Sequence, residues 1–354
     1  MPTNYDQLTM GLIKTQVKVS KPAENFTWGQ SVLFGNPSIG TDQDYIDYSS
    51  QLESVAIPSE AVKGLDPNRV NYGVAFDSKL IEGQYFFDED TVDLSSAEKR
   101  LFGEPIDQPW SVERRELEIS AIKRDAMAQS FKVAKEKLVW ECALNGKYST
   151  KRGGEQVFPM SASMLSIAGA NLITKPFETI NAAAKVLFQS GVTLKRIVLN
   201  PTDASNLAAS SAWQTMLDKK RVEIGSIAPE TAYNGLAKVG TIVGLICGPV
   251  EIYTYAGFYT TKSGSSVTRT EFLPQGKALL LPANAIGRMG YTGILVNRNG
   301  KQAKEAMSEM FQMFGKDHGA LVTSYIQGQT SPAALLDGID HYGVMTGIPT
   351  VSGR

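Results

Sequence analysis

The run SVERRELEISAIKRDAMAQSFKVAKEKLVWECALNG, Ser111 to Gly146, decides how the rest of the chain reads. It holds no proline, and its only glycine is the last residue. Ser111 is a good N-cap, Glu113 and Glu116 suit the positive end of a helix, and Asn145-Gly146 is a strong stop. Ile119, Ile122, Ala126, Phe131, Ala134, Leu138 and Cys142 recur mostly at three- and four-residue steps. That pattern predicts one buried stripe on a helix over 112–144, about 50 Å long at about 1.5 Å per residue. Lys123, Arg124, Lys132, Lys135 and Lys137 fall on the other side, which reads as solvent-facing. A helix longer than the usual three or four turns has to brace something extended.

Upstream, positions 41–98 carry thirteen acids and three bases, a net charge of −10 that leaves +9 for the remainder. Strand-like stretches at 45–48, 52–57, 74–76 and 84–87 flank a turn-rich centre, Lys63-Gly64-Leu65-Asp66-Pro67-Asn68. The reading is a long two-stranded excursion, which is marginal alone in water and so rests on a partner surface. Positions 1–40 mix polar residues, Pro22, Pro37 and glycines with no persistent period, and read as an arm that is disordered or lies on something else.

Downstream, after Gly153-Gly154, the pattern becomes mixed α/β. A helix is predicted over 176–188 with Phe177, Ile180, Ala184, Val186 and Leu187 as its apolar set. A buried strand follows at 195–199, then a helix from Asn200 to Leu217, a strand over 250–255 and a meander to 282. A last helix is expected at 301–313, with strands near 320–326 and 340–345. No internal repeat of fixed period is present.

The whole chain has 354 residues, 42% apolar and 20% charged, with a net charge of −1, so it is globular and has no global pull toward nucleic acid or an anionic membrane. Two cysteines, Cys142 and Cys247, exclude a disulfide framework and a cysteine zinc site, and both read as inert core thiols. The polar N-terminus has no leader pattern and the longest apolar run is too short to span a bilayer, so a soluble protein is expected. His318, beside Asp317, and His341 are the only histidines, and no nucleophile stands near them in a recognisable context. Neither a phosphate-cradling glycine loop nor a nucleophile elbow is present. The acids Asp88, Glu89, Asp90 and Asp93 lack the spacing of a calcium loop. No enzyme, cofactor or metal is expected. An arm, a hairpin and a long bracing helix describe a subunit that neighbours must cover.

The order of parts resembles tailed-phage major capsid proteins of the lambda major head protein type, with the Hong Kong 97-type capsid fold. The resemblance lies in GPVEIYTYAGFY at 248–259, FLPQGKALLLP at 272–282 and GRMGYTG at 287–293, which look like that family's aromatic strand, hairpin return and glycine-rich strand. It extends to 113–146, similar to the family's spine helix with its A-L-x-G turn, and to 176–213, similar to its helix–strand–helix with a tryptophan.

The resemblance implies an α+β fold in five parts. These are an N-terminal arm (1–40), an E-loop hairpin (41–98), a peripheral domain with the spine helix (99–165), an axial domain (166–300) and a C-terminal return to the peripheral domain (301–354). It implies hexamers and pentamers closing an icosahedral head, in a virion assembled in the host cytoplasm. Its expected partners are other copies of itself, a scaffolding protein or scaffold segment, a portal protein, a decoration protein, and double-stranded DNA held without sequence specificity. No membrane partner is implied, and no Lys–Asn cross-link is expected because its three residues cannot be placed. Two alternatives stay open: an encapsulin-like nanocompartment shell, and a soluble α/β enzyme or binding protein. For the shell reading, the inter-subunit contact is expected between Asp88, Glu89, Asp90 or Asp93 and Arg114, Arg115, Lys132 or Lys135 of a neighbour.

Overall fold

The computed structural model describes residues 27–53, 74–92, 101, 104, 108–157, 165–223, 236–263, 266–298, 301–317, 322–337 and 341–349. A π-helical turn, Gly29–Leu33, precedes β1 (Asn36–Gly40), β2 (Tyr45–Glu53), β3 (Val74–Glu82) and β4 (Phe86–Val92). Helix α1 (Val112–Asn145) leads to β5 (Lys147–Thr150), β6 (Gly154–Val157) and β7 (Leu165–Ala168). Next come α2 (Pro176–Gln189), β8 (Arg196–Leu199), α3 (Pro201–Ala209), α4 (Ser211–Asp218), β9 (Val222–Glu223), β10 (Leu236–Ile242) and β11 (Val250–Tyr255). The chain continues with β12 (Phe258–Ser263), β13 (Ser266–Glu271), β14 (Lys277–Leu281), β15 (Gly287–Tyr291), β16 (Ile294–Arg298) and β17 (Lys301–Glu305). It closes with β18 (Met310–Asp317), β19 (Val322–Thr330), β20 (Pro332–Leu336) and β21 (Gly343–Thr346).

Helix α1 starts and stops where its end signals stand. The Ser111 side chain accepts from the Arg114 amide, and Gly146 takes a left-handed conformation (φ 64°) with its amide on the Cys142 carbonyl. The buried set is broader than a single stripe. Ile119, Phe131, Leu138 and Cys142 are buried as predicted, whereas Ile122 is 63% exposed and Ala126 faces solvent. Toward the C-terminal end Leu138, Val139, Trp140, Cys142, Ala143 and Leu144 are all buried, because that half runs through the middle of the molecule.

A seven-stranded sheet, in the order β7-β21-β14-β8-β11-β10-β9, is a wall shared by two cores. Ile197, Leu199, Ala278, Leu280, Val250 and Ile252 face α2, α3 and α4. Val198, Leu279, Leu281, Tyr255 and Val344 face α1. The period of two along each strand divides the side chains between the cores, and burial on both faces explains the unbroken apolar run of β14. The second core also takes the sheet β1-β15-β20. A third sheet, β18-β19-β4, lies along the middle of α1, where Phe131 stacks on Phe311 at 5.9 Å.

Several expectations are corrected. Residues 301–313, rich in Ala, Lys, Glu and Met, are not a helix: β17 pairs with β16 and β18 with β19, so sheet pairing overrides local propensity. Residues 84–87 do not belong to the hairpin, since β4 pairs with β19 and only β2 and β3 pair with each other. The predicted helix from Asn200 to Leu217 is two helices, because Ser210 ends α3 and caps α4. Within the segment that the resemblance assigns to a C-terminal return, β21 lies inside the seven-stranded sheet, and within the segment it assigns to an axial domain, β15 pairs with β1 and β20. Of the arm, residues 28–34 are part of the core, with Trp28 only 4% exposed and Leu33 and Phe34 buried. Cys247 is half-buried rather than a core thiol, and Val186 is exposed.

Candidate subunit interface

The acidic strand comes first. β4 is an edge strand whose register sets Asp88 opposite Gly328, Glu89 opposite Gln327 and Asp90 opposite Ile326. Its carboxylates project from an exposed strand, but two are engaged within the chain. Glu89 accepts from Gln327 Nε2 at 2.6 Å, and Asp90 pairs with Lys123 at 2.9 Å. Asp88 lines a groove at the foot of the hairpin. Asp93, like His318, lies outside the described residues.

The four bases divide in two. Arg114 is exposed and lies over the Trp110 ring at 4.4 Å, and Lys132 is exposed. Arg115 is buried in a two-pronged ion pair, Nη2 at 2.6 Å and Nε at 3.0 Å from Glu104. Lys135 is 4% exposed, with Nζ 2.6 Å from Glu309 and 5.0 Å above the Tyr291 ring. The solvent-facing reading of Lys135 is therefore wrong. The 301–313 segment, expected as a helix, falls instead in strands β17 and β18, and the link between them brings Glu309 over this side of α1. Spacing joins Arg114, Lys132, Asp88, Glu89 and Asp90 to the surface, but spends Arg115 and Lys135 inside their own subunit.

The root of the hairpin is anchored while its flank stays open. Asp44 holds Arg152 at 3.1 Å and Lys304 at 2.6 Å, and these two cations keep its carboxyl below the usual range. Ile46 and Ile81 are buried in the main core. On the outer side Tyr45 and Leu80 are exposed, and Tyr85 and Phe87, both 47% exposed, stack at 6.4 Å. Tyr85, Phe87 and Leu295 line a groove of about 790 Å³, and Tyr45 and Leu80 are exposed outside that lining. Exposed large apolar side chains of this kind mark a surface suited to a covering partner.

Two buried carboxylates escaped the sequence reading. Glu104 accepts from the amides of Leu101 and Trp110 as well as from Arg115, and the guanidinium and amides hold its pKa down to about 2. Glu136, completely buried, gathers donors from the turn at Gly29 and Gln30, from Trp140 and from Tyr255. For Glu136, which stands between Lys135 and Lys137, the only local signal was a tryptophan four residues on. Among the described residues no three potential metal ligands converge, and no helix is long and apolar enough to cross a membrane.

Comparison with known proteins rests on structure alone, for no protein-family model and no curated protein matches the chain. A prophage protein of E. coli CFT073, assigned as a capsid protein, superposes with a TM-score of 0.62 at 13% identity, covering 95% of this chain and 98% of its own. A chain of the bacteriophage PhiM1 mature capsid gives a TM-score of 0.45 at 10% identity over 88% and 84%. The SrpI encapsulin of Synechococcus elongatus PCC 7942 gives 0.44 at 13% over 97% of both chains. The first of these likenesses places the chain in the Hong Kong 97-type capsid fold.

Proposed function

We propose that this chain is the major capsid protein of a tailed phage or prophage, building hexamers and pentamers that close an icosahedral head around double-stranded DNA. The observation that carries the reading is the end-to-end likeness in fold, 95% of this chain on 98% of a prophage protein assigned to a capsid. The exposed apolar side chains at the foot of the hairpin, Tyr45 and Leu80 on its strands and Tyr85 and Phe87 beyond it, are consistent with a subunit that neighbours cover. The partners follow from the reading: further copies of the chain, a scaffolding protein or segment, a portal, a decoration protein, and DNA held without base recognition. The location is the virion, after assembly in the host cytoplasm. In this reading the intersubunit ion pair sets Asp88 against Arg114 and Lys132 of a neighbour, while Glu89 and Asp90 are engaged within their own chain.

Negative-stain imaging of the purified chain tests this. Capsomers or closed shells support it, and a monomer at every concentration rejects it. Shells that lack a portal vertex in infected or induced cells and enclose a protein cargo would turn the reading toward a nanocompartment.

A further inference from the structure

Glu136 sits in a box of three rings. Trp28, Trp140 and Tyr255 have centroids 4.8 to 6.0 Å apart. Five donors converge on its carboxylate. Gly29 N at 2.8 Å, Trp140 Nε1 at 2.9 Å and Tyr255 Oη at 2.7 Å reach Oε1. Gln30 N at 3.1 Å and Gln30 Nε2 at 3.2 Å reach Oε2. The approach is so close that a Cβ on Gly29 would stand 2.7 Å from Oε1. Three segments far apart in sequence are thus fastened by one anion, and among the described residues no cation pairs with it.

Of these donors, four can only donate: two backbone N–H groups, an amide NH₂ and an indole N–H. The Tyr255 hydroxyl can turn and accept, whereas the Gln30 amide could present its oxygen only by flipping and giving up its 2.8 Å bond to the Lys132 carbonyl. A proton taken up from solvent by Glu136 therefore sits on Oε1 pointing at Tyr255 Oη, while the phenolic hydrogen rotates away. The carboxylate becomes a neutral acid, and its bonds to Gly29 and Gln30 lose their charge assistance and about half their strength.

We propose that Glu136 and Tyr255 form a buried proton-binding pair that grips residues 28–30 tightly when the carboxylate is ionised and loosely when it is protonated. Burial pushes the carboxyl up and the five donors only partly oppose it. Of the other charges on the packed elements, Lys132 of α1 is exposed and Lys135 is held by Glu309 at 2.6 Å. Lys137 is 3.5 Å from Glu141 on α1, and Glu251 of β11 holds Lys238 at 2.6 Å and accepts from Tyr253. The turn itself carries no titratable side chain. Because the folded value is raised, this group's contribution to stability is complete below the unfolded carboxyl range and lost as pH rises through the folded value. Acid thus favours the folded chain as a whole, while the individual bonds from Glu136 to the turn weaken because their acceptor is no longer charged.

The test uses the purified, unassembled full chain, so it stands apart from the capsid reading. Tryptophan emission is followed from pH 8 to pH 4, since Trp28 and Trp140 flank the carboxylate. Amide exchange at Gly29 and Gln30, corrected for intrinsic rates, is followed in parallel. The wild type is expected to show one transition above the ordinary carboxyl range, with exchange about five- to tenfold faster on its acid side. Glu136→Gln should abolish it. Gln30→Ala, which removes one donor from a half-exposed side chain, should keep the fold and move the midpoint upward, because that donor favours the ionised form. A wild type without the transition, an equal transition in Glu136→Gln, or a Gln30→Ala midpoint that stays or falls would each overturn the proposal. If Glu136→Gln fails to fold, the direction of the Gln30→Ala shift decides.

Discussion

At the N-terminal end of α1 a buried carboxylate, Glu104, meets a guanidinium at 2.6 Å, whereas in the C-terminal half Glu136 is buried among dipoles with no cation beside it. Their surroundings differ in the same sense. Around Glu104 the helix covers only one side, leaving Leu117 64% exposed and Ile122 nearly as open. Around Glu136 it passes between the N-terminal turn and the seven-stranded sheet, buried on almost every side. The first arrangement lowers the carboxyl pKa to about 2 and the second raises it. A single helix can therefore hold two segments by the same residue type with opposite responses to acid, because desolvation wins only where no charge answers it. The contribution of the first carboxylate to stability is lost as pH falls, and that of the second as pH rises.

The largest expected effect breaks the C-terminal half. Leu138→Asp places an unpaired charge at a site 1% exposed inside the main core. The cost is roughly 4 kcal/mol or more, enough to unfold a marginal domain. Leu117→Asp, on the open half, should change the stability of the unassembled chain by less than about 0.5 kcal/mol. Urea denaturation of both variants checks the pair, and similar losses in the two would erase the contrast between the halves.

Next is Lys135→Glu. Sequence spacing alone treats Lys135 as a solvent-facing lysine, whose reversal would leave the fold intact. Its Nζ lies 2.6 Å from Glu309 at a nearly closed site, so reversal sets two carboxylates together, a loss on the order of 3 kcal/mol. Adding Glu309→Lys should recover much of it. A Tm unchanged by the single substitution would return Lys135 to the surface.

Glu104→Gln sharpens the comparison through pH. The folded pKa is depressed, so the stability it contributes is present above the ordinary carboxyl range and lost as pH falls from about 4.5 toward about 2. The Tm gap between wild type and Glu104→Gln should be wide at pH 7 and close across that window. A gap that widens toward acid would show the Glu104–Arg115 contact is not ionic.

How much of this was legible depended on whether the signal was local. The limits of α1 follow from Ser111 and Gly146, and β11 and β14 follow from runs bounded by Gly248, Gly276 and Pro282. The fold came from the order of such parts. What was not legible came from partners distant in sequence. Glu309 is 174 residues from Lys135, and Tyr255 is 119 from Glu136. No periodicity in α1 reveals that a strand hairpin covers one side of it. The same blindness turned 301–313 into a helix, since its composition favours helix while its pairing with β16 and β19 is non-local. For the proposed contact, the charge bias pointed to an exposed strand, β4, but could not tell that Asp90 is bound to Lys123 or that Arg115 is spent on Glu104.

The smallest effect per site lies on the open end of α1, where Arg114 is exposed beside the Glu104–Arg115 pair. An exposed ion pair contributes only about 0–1 kcal/mol, so a contact of Asp88 with a neighbour's Arg114 and Lys132 would be invisible in the stability of a single chain. In a shell it would recur at every subunit boundary, and many small terms acting together can decide closure. The screening length drops from about 10 Å at 0.1 M salt to about 3 Å at 1 M, so assembly driven this way weakens as salt rises. Reversing Asp88 to Lys should lower the yield of closed particles at low salt while leaving the chain folded. Adding Arg114→Glu and Lys132→Glu should restore part of that yield. Light scattering across a salt series, with wild type beside both variants, separates the outcomes. Particle yields that follow neither salt nor charge reversal would leave the apolar flank of Tyr45, Leu80, Tyr85 and Phe87 as the driving surface, and then Phe87→Ser would be the change that abolishes assembly.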